Sequence, residues 1–381
     1  MQDEKKLELL LERFYNRYNK YNTKVLQKMG ETIKKFNGIT PSVAHKIAQE
    51  LKYSTDIDEL LNELNKLNKL SIEDIKSALE IVAQDNLSIL KATKDKNIEK
   101  IVTAMAKETS ETFKNLSKTR AVGFVLKEKG KTKFKSLKKT YRDLIDEAVY
   151  NVEIGVENYQ SAMRNVMKQL SDSGVKIHEE NIAYESGYNR RIDSAVRENV
   201  LTGVRKLNID IQEQIGQQYD ADGIEISAHS DCAEDHLHIQ GKQFSKKEFN
   251  KINGSLERPI GEYNCRHFIF AIVLGVNQPS YTQKQLNQMN QESVKKVTYE
   301  GKTYTKYEAT QVQRQLETAI RKQKDRQIIA KASNDKEEIG LAQQKINQLT
   351  IKYNDFSKKV GLDTYKNRLT VSGYQRVAIK K

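Results

Sequence analysis

The sequence predicts a mainly α protein: long N-terminal helices and a helical bundle, a small α/β unit containing cysteines and histidines, then a β-hairpin and C-terminal helices. Three observations lead to this class. The prolines are Pro41, Pro259 and Pro279, which permits long helices between the first two. Apolar residues recur at helical spacing in much of the first 220 residues. From Gly223 the period changes and short apolar runs of strand length begin.

The N-terminal helical region spans 1–116. Its first segment carries leucines and aromatic residues at helical spacing, and Thr40-Pro41 and Ser71, with Asp74 three residues later, resemble helix starts. We expect helices over 3–36, 41–52, 56–68, 71–92 and 94–116.

The composition shifts over 117–139, which contains nine lysines or arginines, one acidic residue and two glycines. This pattern predicts a basic loop or linker rather than a continuous helix. Its lysines are candidates for contact with the phosphates of DNA, because lysine acts as a point charge and does not read bases. The candidates are Lys127, Lys129, Lys131, Lys133, Lys135, Lys138 and Lys139.

The central helical region, 140–222, is expected to form helices over about 140–170, 178–187 and 189–219. It is followed by the small α/β Cys/His unit at 223–281. There we expect strands at 224–228 and 267–275, with a short helix opened by a capping box of Ser245 and Glu248.

The last region, 282–381, predicts a hairpin at 297–305 with Glu300-Gly301 at the turn. Thr305 and Glu308 form a second capping box, and helices are expected over about 306–330 and 336–358. A basic tail begins near Lys358.

The formal net charge is +14, which favours contact with a polyanion such as nucleic acid. The competing interpretation is a lysine-rich composition without a polyanionic partner. The sequence has no apolar run of about 18 residues and no signal-peptide pattern at its start, so we expect no membrane partner and synthesis in the cytoplasm.

Both cysteines and four of the six histidines fall between His229 and His267. Cys232 with His236, and Cys265 with His267, would complete a tetrahedral zinc site, and His229 and His238 are spare ligands. The spacing is not that of a common zinc finger. A structural zinc ion would stabilise a unit this small, because its own core is thin.

Two other interpretations stay open for this window. A thiolate nucleophile with a histidine base could be built from Cys232, His236, His229 and Asp231, and histidines with Asn264 could serve a metal-dependent nuclease. Alternatively the residues have a structural role and tie neighbouring loops together. In that case Arg258, Asn264, Arg266 and Asp231 make a buried hydrogen-bond network, and the cysteines are small core residues or a disulfide.

Longer stretches of sequence carry a resemblance to a known family. The runs HSDCAEDHLHIQGKQFS, RPIGEYNCRHFIFAIVLGV and YEGKTYTKYEATQVQRQLETAIRKQKD resemble the phage minor capsid protein 2 family. The NCRH element is similar to the Cys-Arg-Cys ending of Mu F-like head morphogenesis proteins, with His267 in place of the second cysteine. The resemblance is densest over about 180–350.

The resemblance implies a virion structural protein of a tailed phage or prophage rather than an enzyme. It implies association with the portal vertex, with portal protein, major capsid protein and phage double-stranded DNA as partners, and a location in the head interior or at the portal vertex. The alternative function is a metal-dependent nuclease or a thiol-based effector carried in the virion.

Overall fold

The computed structural model describes residues 2–35, 56–89, 104, 107, 122–128, 131–153, 158–177, 190–195, 209–214, 216–217, 220–230, 232–261, 265 and 267–378. The fold is mainly helical, as predicted. Helices α1 to α8 are Gln2–Lys35, Asp56–Ile89, Leu137–Glu153, Tyr159–Ser173, Lys246–Asn253, Gln283–Val294, Lys306–Ser333 and Lys336–Lys359.

The described strands form small antiparallel sheets. Strands β1 to β9 are Val122–Glu128, Lys131–Ser136, Lys176–Ile177, Arg190–Arg191, Gly223–Ile226, Gln243–Ser245, Ile269–Ile272, Val297–Tyr299 and Lys302–Tyr304. Their orders are β2-β1-β3-β4, β6-β5-β7 and β8-β9. No helix in the described ranges is long and apolar enough to cross a membrane.

Helix α2 corrects the prediction of two helices over 56–68 and 71–92. Ser71 does not cap a new helix but is fully buried within α2. Tyr18 of α1 explains its position, because the Tyr18 hydroxyl lies 2.7 Å from Asn68 Oδ1 and 3.4 Å from Ser71 Oγ. The hydroxyl of Ser71 therefore has a polar partner in the interface between α1 and α2, and no glycine or proline interrupts the helix there.

The prediction of a basic loop over 117–139 was wrong for its described residues. Strands β1 and β2 pair from Gly123↔Ser136 to Glu128↔Lys131, and α3 begins directly after them. Phe124 and Leu126 are buried at alternate positions, which is the two-residue period of a strand. The many lysines of the segment make this period hard to recognise in the sequence. Gly123 is not a linker residue: a Cβ there would collide with the carbonyl oxygen of Lys135.

The central region is also less continuous than predicted. The expected helix 140–170 is divided, since α3 ends at Glu153 and Asn158 caps α4 by accepting a hydrogen bond from the Ser161 amide at 2.9 Å. The expected helix 189–219 starts instead with β4, which pairs with β3. The helices predicted over 41–52 and 178–187 lie outside the described residues, as does 94–116 apart from residues 104 and 107.

The predicted hairpin, the predicted capping boxes and the end of α7 agree with the local sequence signals. Glu300 and Gly301 have φ of 47° and 76° at the turn between β8 and β9. The capping boxes at Ser245 and Thr305 are both formed. Asn334, with φ of 62°, ends α7 in the left-handed region that suits asparagine.

One large core joins residues from the long helices that precede the Cys/His unit and from α7, which follows it. Apolar side chains of α1, α2, β1, α3, α4 and α7 belong to it, from Leu11 near the start to Val371 near the end. The residues that the sequence divides into N-terminal, central and C-terminal regions therefore share one core. The Cys/His unit has a separate small core of its own, centred on Ile226, Ile239 and Ile269.

The segment after α8 packs on α1 instead of extending as a free basic tail. The carbonyl of Thr370 accepts a hydrogen bond from Asn19 Nδ2 at 3.1 Å, and the amide of Ser372 donates to Asn19 Oδ1 at 2.7 Å. Thr23 Oγ1 donates to the carbonyl of Ser372 at 2.7 Å. Val371 is buried between these contacts. The described part of the tail is thus held in place by the polar side chains of α1.

Asn19→Ala is expected to lower the free energy of unfolding by about 2 kcal/mol, because it leaves the partly buried Ser372 amide and the Thr370 carbonyl without their side-chain partner. Urea denaturation followed by circular dichroism measures the loss. Asn62→Ala is the matched control, since Asn62 is an exposed asparagine in α2. Equal effects from the two variants would contradict the docking of the tail on Asn19.

Candidate functional site

The Cys/His residues meet because β5 and β7 are antiparallel neighbours. Ile226 at the end of β5 pairs with Ile269 at the start of β7. The segment that follows β5 therefore lies beside the segment that precedes β7. The first segment supplies His229, Cys232 and the short 3-10 helix Glu234–His236, and the second supplies Cys265 and His267.

One ligand atom from each of Cys232, His236 and His267 lies within 4.8 Å of the others, and all three residues are buried. The imidazole of His267 stands between the two sulfurs. Its Nε2 is 3.7 Å from Cys232 Sγ, and its Nδ1 is 3.5 Å from Cys265 Sγ. Both cysteines are buried and free of disulfide bonds.

The other contacts of the two buried histidines orient their rings. The Nε2 of His236 is 2.6 Å from the carbonyl oxygen of Arg258, to which it donates a hydrogen bond. His267 Nε2 is 3.3 Å from Gln240 Oε1. The His229 ring lies over His267 with the centroids 4.4 Å apart, and His236 meets His267 edge-on at 5.1 Å.

His236 and Cys265 influence each other's protonation. Burial lowers the pKa of His236, but its hydrogen bonds with Cys265 and with the Arg258 carbonyl outweigh burial, so the net pKa is raised. Burial raises the pKa of the Cys265 thiol, but the hydrogen bond with His236 and backbone contacts at Gly261 and His267 lower it overall. The pair therefore favours a thiolate beside an imidazolium more than isolated side chains would.

Gln240 is a part of the site that the sequence analysis missed. It is almost completely buried, and its Oε1 accepts a hydrogen bond from the His229 amide at 3.0 Å. Its Nε2 donates to Asn290 Oδ1 of α6 at 2.7 Å, and Asn290 donates to the carbonyl of Leu237 at 3.1 Å. These bonds fix which end of the amide faces His267. A glutamine in a polar loop gives no sequence signal of this role.

A pocket opens between this cluster and the first turns of α7. His229, His236, Cys265 and His267 line one side, and Tyr307, Thr310, Gln311 and Arg314 line the other. Arg258 joins the two sides, since its Nη1 donates to the Tyr307 hydroxyl at 3.0 Å and its guanidinium lies 3.6 Å from Asp235. The pocket is thus both histidine-rich and bordered by two arginines.

The remaining predicted residues of the window divide into two groups. His238 is exposed, whereas the three grouped ligands are buried. Three members of the predicted network lie outside the described residues: Asp231, Asn264 and Arg266. The fourth, Arg258, contacts His236 through its backbone carbonyl and Tyr307 through its guanidinium.

The predicted DNA-contact lysines lie in the β1–β2 hairpin and at the start of α3. Lys131 and Lys133 are exposed on β2, an edge strand of its sheet, and Lys138 and Lys139 are exposed on α3. Lys135 differs, because its ammonium lies 3.0 Å from Asp143 and its side chain is only 10% exposed. Lys127 is in β1, and Lys129 lies outside the described residues.

Comparison with protein families decides the identity. The family model described as phage minor capsid protein 2 matches residues 3–358, which is most of the chain. The chain belongs to the phage minor capsid protein 2 family. No curated protein and no solved structure matches it.

The match extends beyond the segments that carried the sequence resemblance. It begins within α1 and ends within α8, so it includes the helices of the large core as well as the Cys/His unit. This minor capsid protein is therefore a structural component of a phage virion, and the Cys/His cluster belongs to the family's matched region.

Proposed function

We propose that this minor capsid protein is located at the portal vertex in the interior of a phage head, where it contacts packaged double-stranded DNA. The observation that carries the DNA contact is the exposed edge strand β2, with Lys131 and Lys133, continued by Lys138 and Lys139. The net charge of +14 supports a polyanionic partner. Portal protein and major capsid protein are the proposed protein partners.

A competing explanation for the lysines is protection of the sheet edge. Charged side chains on an edge strand discourage pairing with another chain. Lys138 also lies 3.2 Å from Asp58, although both side chains are 58% exposed and the pair leaves them accessible to solvent. The two explanations differ in salt dependence, because counterion release accompanies phosphate contact only.

The triple variant Lys131→Gln, Lys133→Gln, Lys139→Gln is expected to weaken binding to any duplex sequence. The slope of log affinity against log salt should fall by roughly 0.9 for each phosphate contact removed. Fluorescence anisotropy over a salt series measures both quantities. A second triple variant, Lys247→Gln, Lys284→Gln, Lys302→Gln, removes the same charge from exposed positions elsewhere and is the matched control.

Equal affinities and slopes for the two triple variants would rule out β2 as the DNA contact and favour edge protection. The location has a separate test. Cross-linking of purified virions followed by mass spectrometry should recover links from this protein to the portal protein. Links to the major capsid protein alone would place the protein elsewhere in the capsid.

We further propose that the protein is not an enzyme. The alternative of a metal-dependent nuclease draws on the histidine-rich pocket bordered by Arg258 and Arg314. Incubation of the purified protein with linear duplex DNA and magnesium, manganese or zinc is expected to leave the DNA intact. Cleavage that His236→Ala abolishes while the far-UV spectrum is unchanged would establish the nuclease instead.

A further inference from the structure

We propose that Cys232, His236 and His267 bind a divalent transition metal ion, zinc by preference, while Cys265 and the Arg258 carbonyl orient the two histidines from outside the coordination sphere. This goes beyond the proposed virion role, which requires no metal. It also differs from the four-ligand site that the sequence predicts, because Cys265 is assigned an orienting role.

The separation of the ligand atoms suits a metal of this size. Zinc bonds of about 2.0–2.3 Å place two tetrahedral ligands roughly 3.3–3.8 Å apart. Cys232 Sγ and His267 Nε2 are already 3.7 Å apart, and the whole set lies within 4.8 Å. Closing the set requires movement of about 1 Å.

Each of the two histidines has one nitrogen beside a group outside the proposed ligand set, so the other nitrogen is the proposed metal ligand. His236 donates from Nε2 to the Arg258 carbonyl, so Nδ1 is its proposed metal ligand, and metal binding would replace the hydrogen bond between His236 and Cys265. His267 faces Cys232 with Nε2 and Cys265 with Nδ1. Metal-binding histidines commonly donate the second N–H to a neighbouring acceptor, which fixes tautomer and orientation.

This arrangement places Cys265 outside the coordination sphere of the metal. Its sulfur lies beside the His267 nitrogen that is opposite the one facing Cys232. A metal at Nε2 places the ring proton on Nδ1, where Cys265 Sγ accepts it. The contact of Nε2 with Gln240 Oε1 at 3.3 Å then ceases to be a hydrogen bond.

The ligand chemistry selects the metal class. One thiolate with two imidazoles favours zinc and cobalt over calcium or magnesium, which prefer oxygen ligands. Three protein ligands leave a fourth position, and His236 and His267 both line the pocket, so water can supply that ligand. The metal would join the segment after β5 to the segment before β7 and stabilise a unit whose own core is small.

Cobalt titration of the full-length protein, after removal of bound metal with a chelator, tests the proposal. We expect one equivalent of Co²⁺ to bind, with a sulfur-to-cobalt charge-transfer band whose intensity corresponds to one Co–S bond. Cys232→Ser should abolish the band. Cys265→Ser should keep its full intensity while weakening affinity about 10–100-fold. His238→Gln, a change at the exposed histidine of the same unit, should leave both unchanged.

Two results would overturn the inference. One is the absence of stoichiometric binding by the parent protein. The other is a band in the parent that Cys265→Ser halves, since that would show two bound thiolates. If Cys232→Ser fails to fold, zinc-edge X-ray absorption of the zinc-loaded parent gives the number of sulfur neighbours directly, and one sulfur is the expected count.

Discussion

Arg191→Met is expected to lower the free energy of unfolding by about 3–5 kcal/mol, the largest effect among our predictions. The guanidinium is buried, bonds to the carboxylate of Asp325 and lies 3.5 Å from Asp193 Oδ1. Both aspartates are fully buried. Removal of Arg191 leaves two carboxylates in the core with Arg321, 3.7 Å from Asp193, as a remaining cation. Urea unfolding measures the effect.

The effect should be large because this ion group connects several elements. Asp325 of α7 accepts a hydrogen bond from Asn22 of α1 at 3.2 Å, and Asn22 accepts from the Val175 amide at 3.0 Å. Lys138→Gln is the control: it breaks an exposed ion pair and should change stability by less than about 1 kcal/mol. Adding Asp193→Asn and Asp325→Asn to Arg191→Met should restore part of the loss. A single variant no worse than the control would contradict the buried-charge argument.

Gly30→Leu is expected to destabilise the protein by about 3 kcal/mol, because α1 and α7 approach closely at this residue. A Cβ on Gly30 would lie 2.6 Å from both the Ile329 carbonyl oxygen and Ala332 Cβ. A backbone carbonyl cannot rotate away as a flexible side chain can, so the helices must separate. Thermal or urea unfolding measures the loss.

Gly340→Leu is the matched control for that prediction. Gly340 is also within a helix, α8, but has nothing within 4 Å of an added Cβ. Leucine favours the helix over glycine by roughly 0.5–1 kcal/mol, so this variant should be slightly more stable than the parent. Losses of similar size at the two positions would show that the α1–α7 contact is not the cause.

Elements that depend on local chemistry could be predicted from the sequence. The helical period predicted α1, and capping boxes predicted the starts of α5 and α7. The turn residues predicted the hairpin of β8 and β9. Each of these signals is contained within a few neighbouring residues, so the sequence alone carries it.

Elements that depend on tertiary contacts could not be predicted. The sequence of β2 shows no alternation of apolar and polar residues, and the strand is held by its pairing with β1, whose Phe124 and Leu126 are buried in the core. In the sequence Ser71 resembles the start of a helix. In the structure its hydroxyl contacts Tyr18 in the interface between α1 and α2, and the helix continues through it. In the site, clustering predicted that the cysteines and histidines meet. The position of His267 between two sulfurs depends on the β5–β7 pairing.

The docking of α1 on α7 and the C-terminal segment has a consequence for the timing of folding. Asn22 and Asp325 are 303 residues apart, and Asn19 and Thr370 are 351 apart. At a synthesis rate of about 5–20 residues per second, α1 is synthesised roughly 15–60 s before α7, the helix that covers its apolar face. Contacts this distant in sequence also form slowly. We therefore expect the large core to close only after α7 has left the ribosome, with the face of α1 open to chaperones or to aggregation until then.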